Sequence, residues 1–236
     1  MAGDSKGSGK KRKSASGGSG RSLDEYRAKR ESGRTPEPMG GTSAKGGKRR
    51  FVVQKHAATA LHYDFRLEAG GVLKSWAVPK GPSTNPKDKR LAMLTEDHPV
   101  DYLGFEGVIP SGEYGAGKVI VWDTGTYRNL AEHEGRKVPV GKGVGEGHVK
   151  VWLDGEKLHG GYALTRTGRD GERERWIMIK LDDEGADARR NPVSTEPASV
   201  RSGRTLDDLS EDDEKKDTEG KGAEKKSDGK KSRGKK

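Results

Sequence analysis

The sequence predicts a mainly β fold: an antiparallel β-barrel of short strands with one or two short helices, flanked by disordered tails. Three observations carry this expectation. Leu61-His62-Tyr63-Asp64-Phe65-Arg66-Leu67-Glu68 alternates strictly between apolar and polar residues, the period of a half-buried strand. Similar short runs recur as far as residue 181, separated by Gly-rich turns, which suits a barrel or sandwich. The apolar residues are also concentrated. Hydrophobic residues make up only 28% of the 236, yet residues 51–182 hold all four Trp, all three Phe and five of six Tyr. That middle stretch is long enough for one domain with one core.

The elements follow in order. Residues 1–20 are mostly Gly, Ser and Lys and bury nothing, so they read as a disordered basic arm. Ser22-Leu23-Asp24-Glu25 has the spacing of a capping box and opens a helical leader over 22–31. Pro36 and Pro38 impose an extended path, and 40–47 is a linker. Strands are expected at 51–56, 61–68, 72–78, 90–96, 118–123, 126–128, 148–154, 156–167 and 173–181. Ala69-Gly70-Gly71 turns the second strand into the third, Asp154-Gly155 is a two-residue hairpin signal, and Asp170-Gly171 is a further turn. Residues 101–106 suit a single helical turn. The glycines between Gly104 and Gly117 suit a loop that crosses near a site or closes a barrel end. The folded domain is expected over 21–182, with its β core at 51–182, and 183–236 as a disordered charged tail.

Charge is uneven. Residues 1–50 carry 14 Lys and Arg against 5 Asp and Glu, residues 51–182 carry 19 against 18, and residues 183–236 carry 14 against 14. Within the tail, residues 215–236 hold 10 basic and 4 acidic groups. Two basic arms thus flank a near-neutral domain. Such arms attract nucleic acid through counterion release; the alternative is that they only solubilise. The chain has no Cys, which excludes disulfides, thiolate metal sites and cysteine nucleophiles. No apolar run approaches the roughly 18 residues that span a membrane, and the N-terminus has no apolar signal core. A cytoplasmic protein without a membrane partner is the expectation.

Strand alternation puts His62, Asp64, Arg66 and Glu68 on one face, with the imidazole, carboxylate and guanidinium of the first three within about two repeats of roughly 6.6 Å. His56, six residues upstream on another strand-like run, offers a third metal ligand. Two imidazoles and one carboxylate suit Mn, Fe, Co or Zn better than Mg or Ca, and leave positions open for substrate. The guanidinium of Arg66 suits an anion, phosphate above all. Other readings stand beside this one: surface histidines on a solvated face, or a non-haem iron oxygenase with His148 or His159 as its third histidine. His98 and Tyr102 could both contact phosphoryl oxygens, or be a turn histidine and a half-buried tyrosine. Lys80 and Arg90 bracket a Gly/Pro/Asn loop; they add charge around a phosphate or merely solvate the loop. His133, His148 and His159 carry no companion motif.

Several stretches together resemble the phosphoesterase module of bacterial DNA ligase D. They are Phe51-Val52-Val53-Gln54-Lys55-His56, Leu61-His62-Tyr63-Asp64-Phe65-Arg66-Leu67, and Ser75-Trp76-Ala77-Val78-Pro79-Lys80-Gly81-Pro82-Ser83. Thr95-Glu96-Asp97-His98-Pro99-Val100-Asp101-Tyr102 and Gly107-Val108-Ile109-Pro110-Ser111-Gly112-Glu113-Tyr114-Gly115-Ala116-Gly117 continue the match. The resemblance implies a Mn²⁺-dependent enzyme, with Co²⁺ or another divalent transition metal as substitute. Such an enzyme removes a 3′-terminal ribonucleoside, then the 3′-phosphate left behind, to give 3′-OH ends for end joining. It implies His56, His62 and Asp64 as metal ligands, and Arg66, His98 and Tyr102 as phosphate-contacting or transition-state residues. Lys80 and Arg90 match residues of the phosphomonoesterase step. Gln54, Glu96, Glu31 and Glu37 match supporting polar positions, although Glu31 stands where the family pattern has Asp. The chain has no room for polymerase or ligase modules, so a stand-alone phosphoesterase is expected. Its partners would be DNA 3′ ends and a separate ligase, polymerase or end-binding protein. A catalytically silent DNA-end-binding accessory is the other reading.

Overall fold

The computed structural model describes residues 23–30, 33–40 and 49–210. The expected arm at 1–20, Ser22 of the expected capping box, Glu31 and residues 211–236 lie outside them. Among the described residues the first element is helix α1 (Asp24–Ala28), with Leu23 as its N-cap. Strands β1 (Arg50–Ala57), β2 (Leu61–Ala69), β3 (Val72–Val78), β4 (Arg90–Leu94) and the short β5 (His98–Pro99) follow. A 3₁₀ turn (Val100–Gly104) leads to β6 (Gly107–Ile109), β7 (Gly117–Asn129), and a small hairpin of β8 (Glu132–His133) and β9 (Arg136–Lys137). Helix α2 (Val140–Glu146), β10 (His148–Gly155), β11 (His159–Asp170), β12 (Arg173–Lys180) and helix α3 (Pro192–Thr195) complete the order.

Eight strands close a ring in the order β1-β2-β3-β4-β12-β11-β10-β7, because β7 pairs with β1. Every pairing in the ring is antiparallel. The alternation of β2 explains its placement: Tyr63, Phe65 and Leu67 point into the barrel, among Phe51, Trp76, Trp122 and Trp176. Each such side chain contributes about 1.5–3 kcal/mol on full burial. The β2–β3 turn is tight. Ala69 pairs with Val72, and Gly70 and Gly71 take φ of 64° and 82°, as a primed two-residue turn requires.

The outer wall of β1–β2–β3 is covered too. Tyr26 from α1, Leu73, Tyr102, Phe105, Ile109 and Val119 form a second core against it. His62, Asp64 and Arg66 lie on this outer side, opposite the barrel interior, and Arg66 faces the Tyr102 ring of that second core.

Some expectations change. The strands expected at 118–123 and 126–128 are one strand, β7, which stays paired with β1 from Arg50 to Ala57 across a bulge. The hairpin expected at Asp154-Gly155 forms two residues later. Asp154 pairs with His159, and the turn runs through Glu156 and Lys157. The reason is Asp123, fully buried, whose carboxylate accepts the N–H groups of Glu156, Lys157 and Leu158 at 2.9–3.0 Å. Helix α2 carries three glycines in seven residues, so its sequence holds no helix signal. It is held by packing of Val140 and Val144 on the barrel core.

The largest correction concerns the chain beyond residue 182, expected to be a disordered tail. Residues 183–210 pack on the barrel. Val193 joins the core and Leu209 is buried with Val108 and Ile120. Trp122 Nε1 donates to Glu196 O at 2.7 Å, Lys157 Nζ donates to the carbonyls of Glu196 and Ala198, and Val200 N bonds Val121 O. Few of these interactions need apolar side chains from the segment itself; its backbone carbonyls satisfy buried donors of the barrel. Composition therefore hides this ordering. No helix among the described residues is long and apolar enough to cross a membrane.

Candidate active site

Pairing of β1 with β2 sets His56 opposite His62 and Gln54 opposite Asp64. One ligand atom from each of His56, His62 and Asp64 lies within 4.8 Å of the others. His56 Nδ1 is 3.5 Å from Asp64 Oδ2, and His62 Nε2 is 3.7 Å from Asp64 Oδ1. The remaining ring nitrogens are engaged elsewhere. His56 Nε2 lies 2.9 Å from Gly115 O and His62 Nδ1 lies 2.9 Å from Ala60 O. A carbonyl only accepts, so those nitrogens carry the protons. In the neutral rings, Nδ1 of His56 and Nε2 of His62 then turn lone pairs toward a carboxylate. Three electron-rich atoms facing one another, with backbone carbonyls fixing both tautomers, is the donor set of a divalent metal site. The residues present fit a metal ion.

Arg66 is buried beside this cluster. Its Nη2 donates to Asp64 Oδ2 at 3.0 Å and its Nε to Gln54 Oε1 at 2.8 Å. Nη1 is buried without a hydrogen-bond partner, so the guanidinium keeps one unused donor. Burial would raise the Asp64 carboxyl, but the Arg66 charge and the two histidines outweigh it and hold Asp64 well below the usual carboxylate range. Gln54 is fixed in turn by donating to Tyr102 O and Phe105 O at 3.2 and 3.0 Å.

A second tier supports the first. The Arg66 guanidinium lies 5.0 Å from the Tyr102 ring centre, and the Tyr102 hydroxyl donates to Glu37 Oε1 at 2.8 Å. Burial, then the Glu37 charge, push Tyr102 well above its ordinary value, so it stays a phenol. Arg30 joins the leader to the site. It donates to Glu37 Oε1 at 3.0 Å and to Glu96 Oε1 at 3.3 Å, and lies 3.8 Å over the Tyr26 ring. Lys29 adds a bond to Glu96 Oε2 at 3.1 Å. Burial opposes ionisation of Glu96, but a backbone hydrogen bond, Lys29 and Arg30 prevail and lower it.

His98 is buried, with its ring edge-on against Tyr26 and Tyr102 at 4.9 and 5.0 Å. Its Nδ1 donates to Glu96 O at 2.9 Å, which leaves Nε2 as the free nitrogen. Burial, then the charges of Arg66 and Arg30, push the imidazole well below its ordinary value, so it rests neutral.

The structure thus brings together His56, His62, Asp64, Arg66, Gln54, Tyr102, Glu37, Glu96 and His98. Lys80 and Arg90 stand apart from that network. Lys80 is exposed past the end of β3, and Arg90 donates to Asp88 at 2.8 Å. Their loop is tied to the C-terminal segment by Thr84 Oγ1, which donates to Asp187 O and Arg190 O. His148 bonds Thr165 on the β10–β11 pair, and His159 faces Asp154 and Trp152. Neither joins the cluster. Sequence reading missed Tyr26, Arg30 and Gly115 as site residues. The one available signal was the spacing of Tyr26 and Arg30, four apart within the expected leader helix, where side chains meet, although α1 itself ends at Ala28.

Residues 54–166 match the family profile described as DNA Ligase D 3′-phosphoesterase domain. The chain is 48% identical over 192 residues to a multifunctional non-homologous end joining protein LigD of Pseudomonas aeruginosa, covering 80% of this chain and 22% of that protein. It is 47% identical over 165 residues to a multifunctional non-homologous end joining DNA repair protein LigD of Mycobacterium tuberculosis, 69% of this chain and 20% of that one. The LigD of Mycolicibacterium smegmatis is 43% identical over 166 residues. The chain spans about a fifth of the length of these relatives. Through the domain that holds the His56, His62 and Asp64 cluster, it belongs to the DNA ligase D 3′-phosphoesterase family.

Proposed function

We propose that this chain is a metal-dependent phosphoesterase that trims DNA 3′ ends for repair by non-homologous end joining. It removes a 3′-terminal ribonucleoside, leaving a 3′-phosphate, and then removes that phosphate to leave 3′-OH. In the first step water adds to phosphorus, the P–O bond to the nucleoside breaks, and the leaving oxygen takes a proton. The observation that carries this reading is the convergence of two imidazole nitrogens, one carboxylate and a buried guanidinium on one face of the paired strands β1 and β2. The family and the names of the relatives support it.

His56, His62 and Asp64 would hold the ion, Mn²⁺ first and Co²⁺ as substitute, and it would supply Lewis-acid polarisation of a phosphoryl oxygen. Arg66 offers its unused Nη1 to a non-bridging phosphate oxygen, since catalysis of phosphoryl transfer rests on positioning and charge stabilisation. His98 presents Nε2 to the phosphoryl or leaving oxygen. The arriving phosphate anion offsets the charges of Arg66 and Arg30 and allows His98 to take the proton it then donates. Tyr102, Gln54, Glu37 and Glu96 hold Arg66 and His98 in place rather than touch substrate. Lys80 and Arg90 add charge for the monoester step, and Glu31 is a further supporting group. The partners are DNA 3′ ends and a ligase, polymerase or end-binding protein acting on the same end; the setting is the cytoplasm.

The test is turnover of a 5′-labelled primer ending in one ribonucleotide. With Mn²⁺ the primer should shorten to a 3′-phosphate product and then to a 3′-OH product. An unaltered primer, still bound, would favour a silent end-binding accessory instead.

A further inference from the structure

Tyr114 is one of three large apolar or aromatic side chains exposed on the described surface, at 43%, and it directly precedes Gly115, whose carbonyl lies 2.9 Å from a ring nitrogen of the ligand His56. Its neighbour Gly115, at φ 80°, turns the carbonyl that orients His56. The loop is braced on its own account: Glu113 N bonds Pro110 O, Ala116 N bonds Glu113 O, and Glu113 pairs with Arg34 at 3.3 Å. The ring is also held in place. Lys29 Nζ lies 5.0 Å and the Arg30 guanidinium 5.3 Å from its centre, and both cations are anchored on Glu96. An aromatic ring fixed by cations, still open to solvent, beside a phosphate-binding cluster is a platform for a planar group joined to that phosphate.

We propose that Tyr114 is the stacking subsite for the base of the 3′-terminal nucleoside. The proposal rests on the function above and adds what it leaves open: how the diester substrate is gripped beyond its phosphate. Every base presents a π-face, so the subsite takes any of the four. The monoester substrate has no nucleoside to place there, so the subsite serves the first step only.

The test compares the full chain with Tyr114→Ala and Tyr114→Phe on three primers with Mn²⁺: one with a 3′-terminal ribonucleotide, one with a 3′-terminal abasic ribose, and one with a 3′-phosphate. Stacking is worth about 1–3 kcal/mol per base, so Tyr114→Ala should raise KM for the ribonucleotide primer about 5- to 150-fold. The abasic and 3′-phosphate primers should be unaffected, Tyr114→Phe should match wild type, and Mn²⁺ affinity should be unchanged. Equal losses on all three primers, or weakened Mn²⁺ binding, would make Tyr114 a brace for the His56 loop and overturn the proposal. An unchanged KM on the ribonucleotide primer would overturn it as well. A terminal 2-aminopurine riboside gives a readout without turnover: its fluorescence should be quenched on wild type and on Tyr114→Phe but not on Tyr114→Ala. Quenching without hydrolysis in wild type would retain the subsite and reject the enzymatic reading, whereas hydrolysis without Tyr114-dependent quenching would do the reverse.

Discussion

Tyr102 donates its hydroxyl to Glu37 at 2.8 Å across 65 residues of sequence, and this bond fastens the N-terminal leader over the outer wall of the barrel. Glu37 is buried, and also accepts from Arg30 and Thr35. A hydrogen bond to a charged acceptor of this kind contributes about 1.5–3 kcal/mol. Tyr102→Phe should lower stability by that amount while keeping the ring beneath Arg66. Urea unfolding measures it; an unchanged midpoint would mean that the leader is held by other groups.

The leader clamp should also be acid-sensitive. Glu96 is ionised more readily in the fold than in the unfolded chain, because its backbone bond, Lys29 and Arg30 outweigh burial. A depressed carboxylate contributes stability that is fully present above the unfolded value, near 4.5, and is lost as pH falls through the folded value. Unfolding free energy followed against pH should therefore decline below about pH 4.5, with a limiting slope of about 1.4 kcal/mol per pH unit for this one group. Glu96→Gln should flatten that limb. The same limb in wild type and variant would remove Glu96 from the clamp's energetics.

Truncation separates the two parts of the C-terminal region. Ending the chain at residue 210 should leave the melting temperature unchanged, because residues up to Leu209 make the packing and hydrogen bonds with the barrel. The salt slope of DNA binding should flatten by about 0.9 for each phosphate that the removed basic residues had neutralised. Ending it at residue 182 removes the partners of Trp122, Lys157 and Lys180 and the cover of Val108 and Ile120. Burial of Leu209 alone is worth about 1.5–3 kcal/mol, a large share of a domain's margin of roughly 5–15. The shorter chain should melt well below the longer one. Equal melting curves would return residues 183–210 to the status of a tail.

In the proposed mechanism His98 acts on the reacting group rather than on the metal. His98→Ala should lower kcat by about 10²- to 10⁴-fold with little change in KM and with bound metal retained. Loss of the metal in this variant would make His98 a ligand, and full kcat on both 3′-ribonucleoside and 3′-phosphate ends would end its catalytic role.

What the sequence made legible follows from period. Strict alternation in β2 already separated Tyr63, Phe65 and Leu67 from His62, Asp64 and Arg66, and the structure keeps that division between barrel core and outer wall. Gly70-Gly71 was legible because only one kind of turn needs two positive φ values. Residues whose roles are set by distant partners were not. Asp123 moves a hairpin by two residues through hydrogen bonds to residues 33–35 positions away. Residues 183–210 order through backbone carbonyls that composition does not register. Tyr26 and Arg30 look like an ordinary helical tyrosine and arginine until the fold lays them on His98 and Glu37.

The most direct test couples occupancy to turnover at the His56–His62–Asp64 cluster. Mn²⁺ is titrated into metal-free protein, binding is followed by electron paramagnetic resonance, and hydrolysis of a 3′-phosphate primer is measured in the same samples. Binding should saturate at one ion per chain, the rate should rise in proportion to occupancy, and His56→Ala, His62→Ala and Asp64→Ala should each lose both together. Turnover that persists in the Asp64→Ala chain without bound metal, or a rate indifferent to occupancy in wild type, would contradict the assignment.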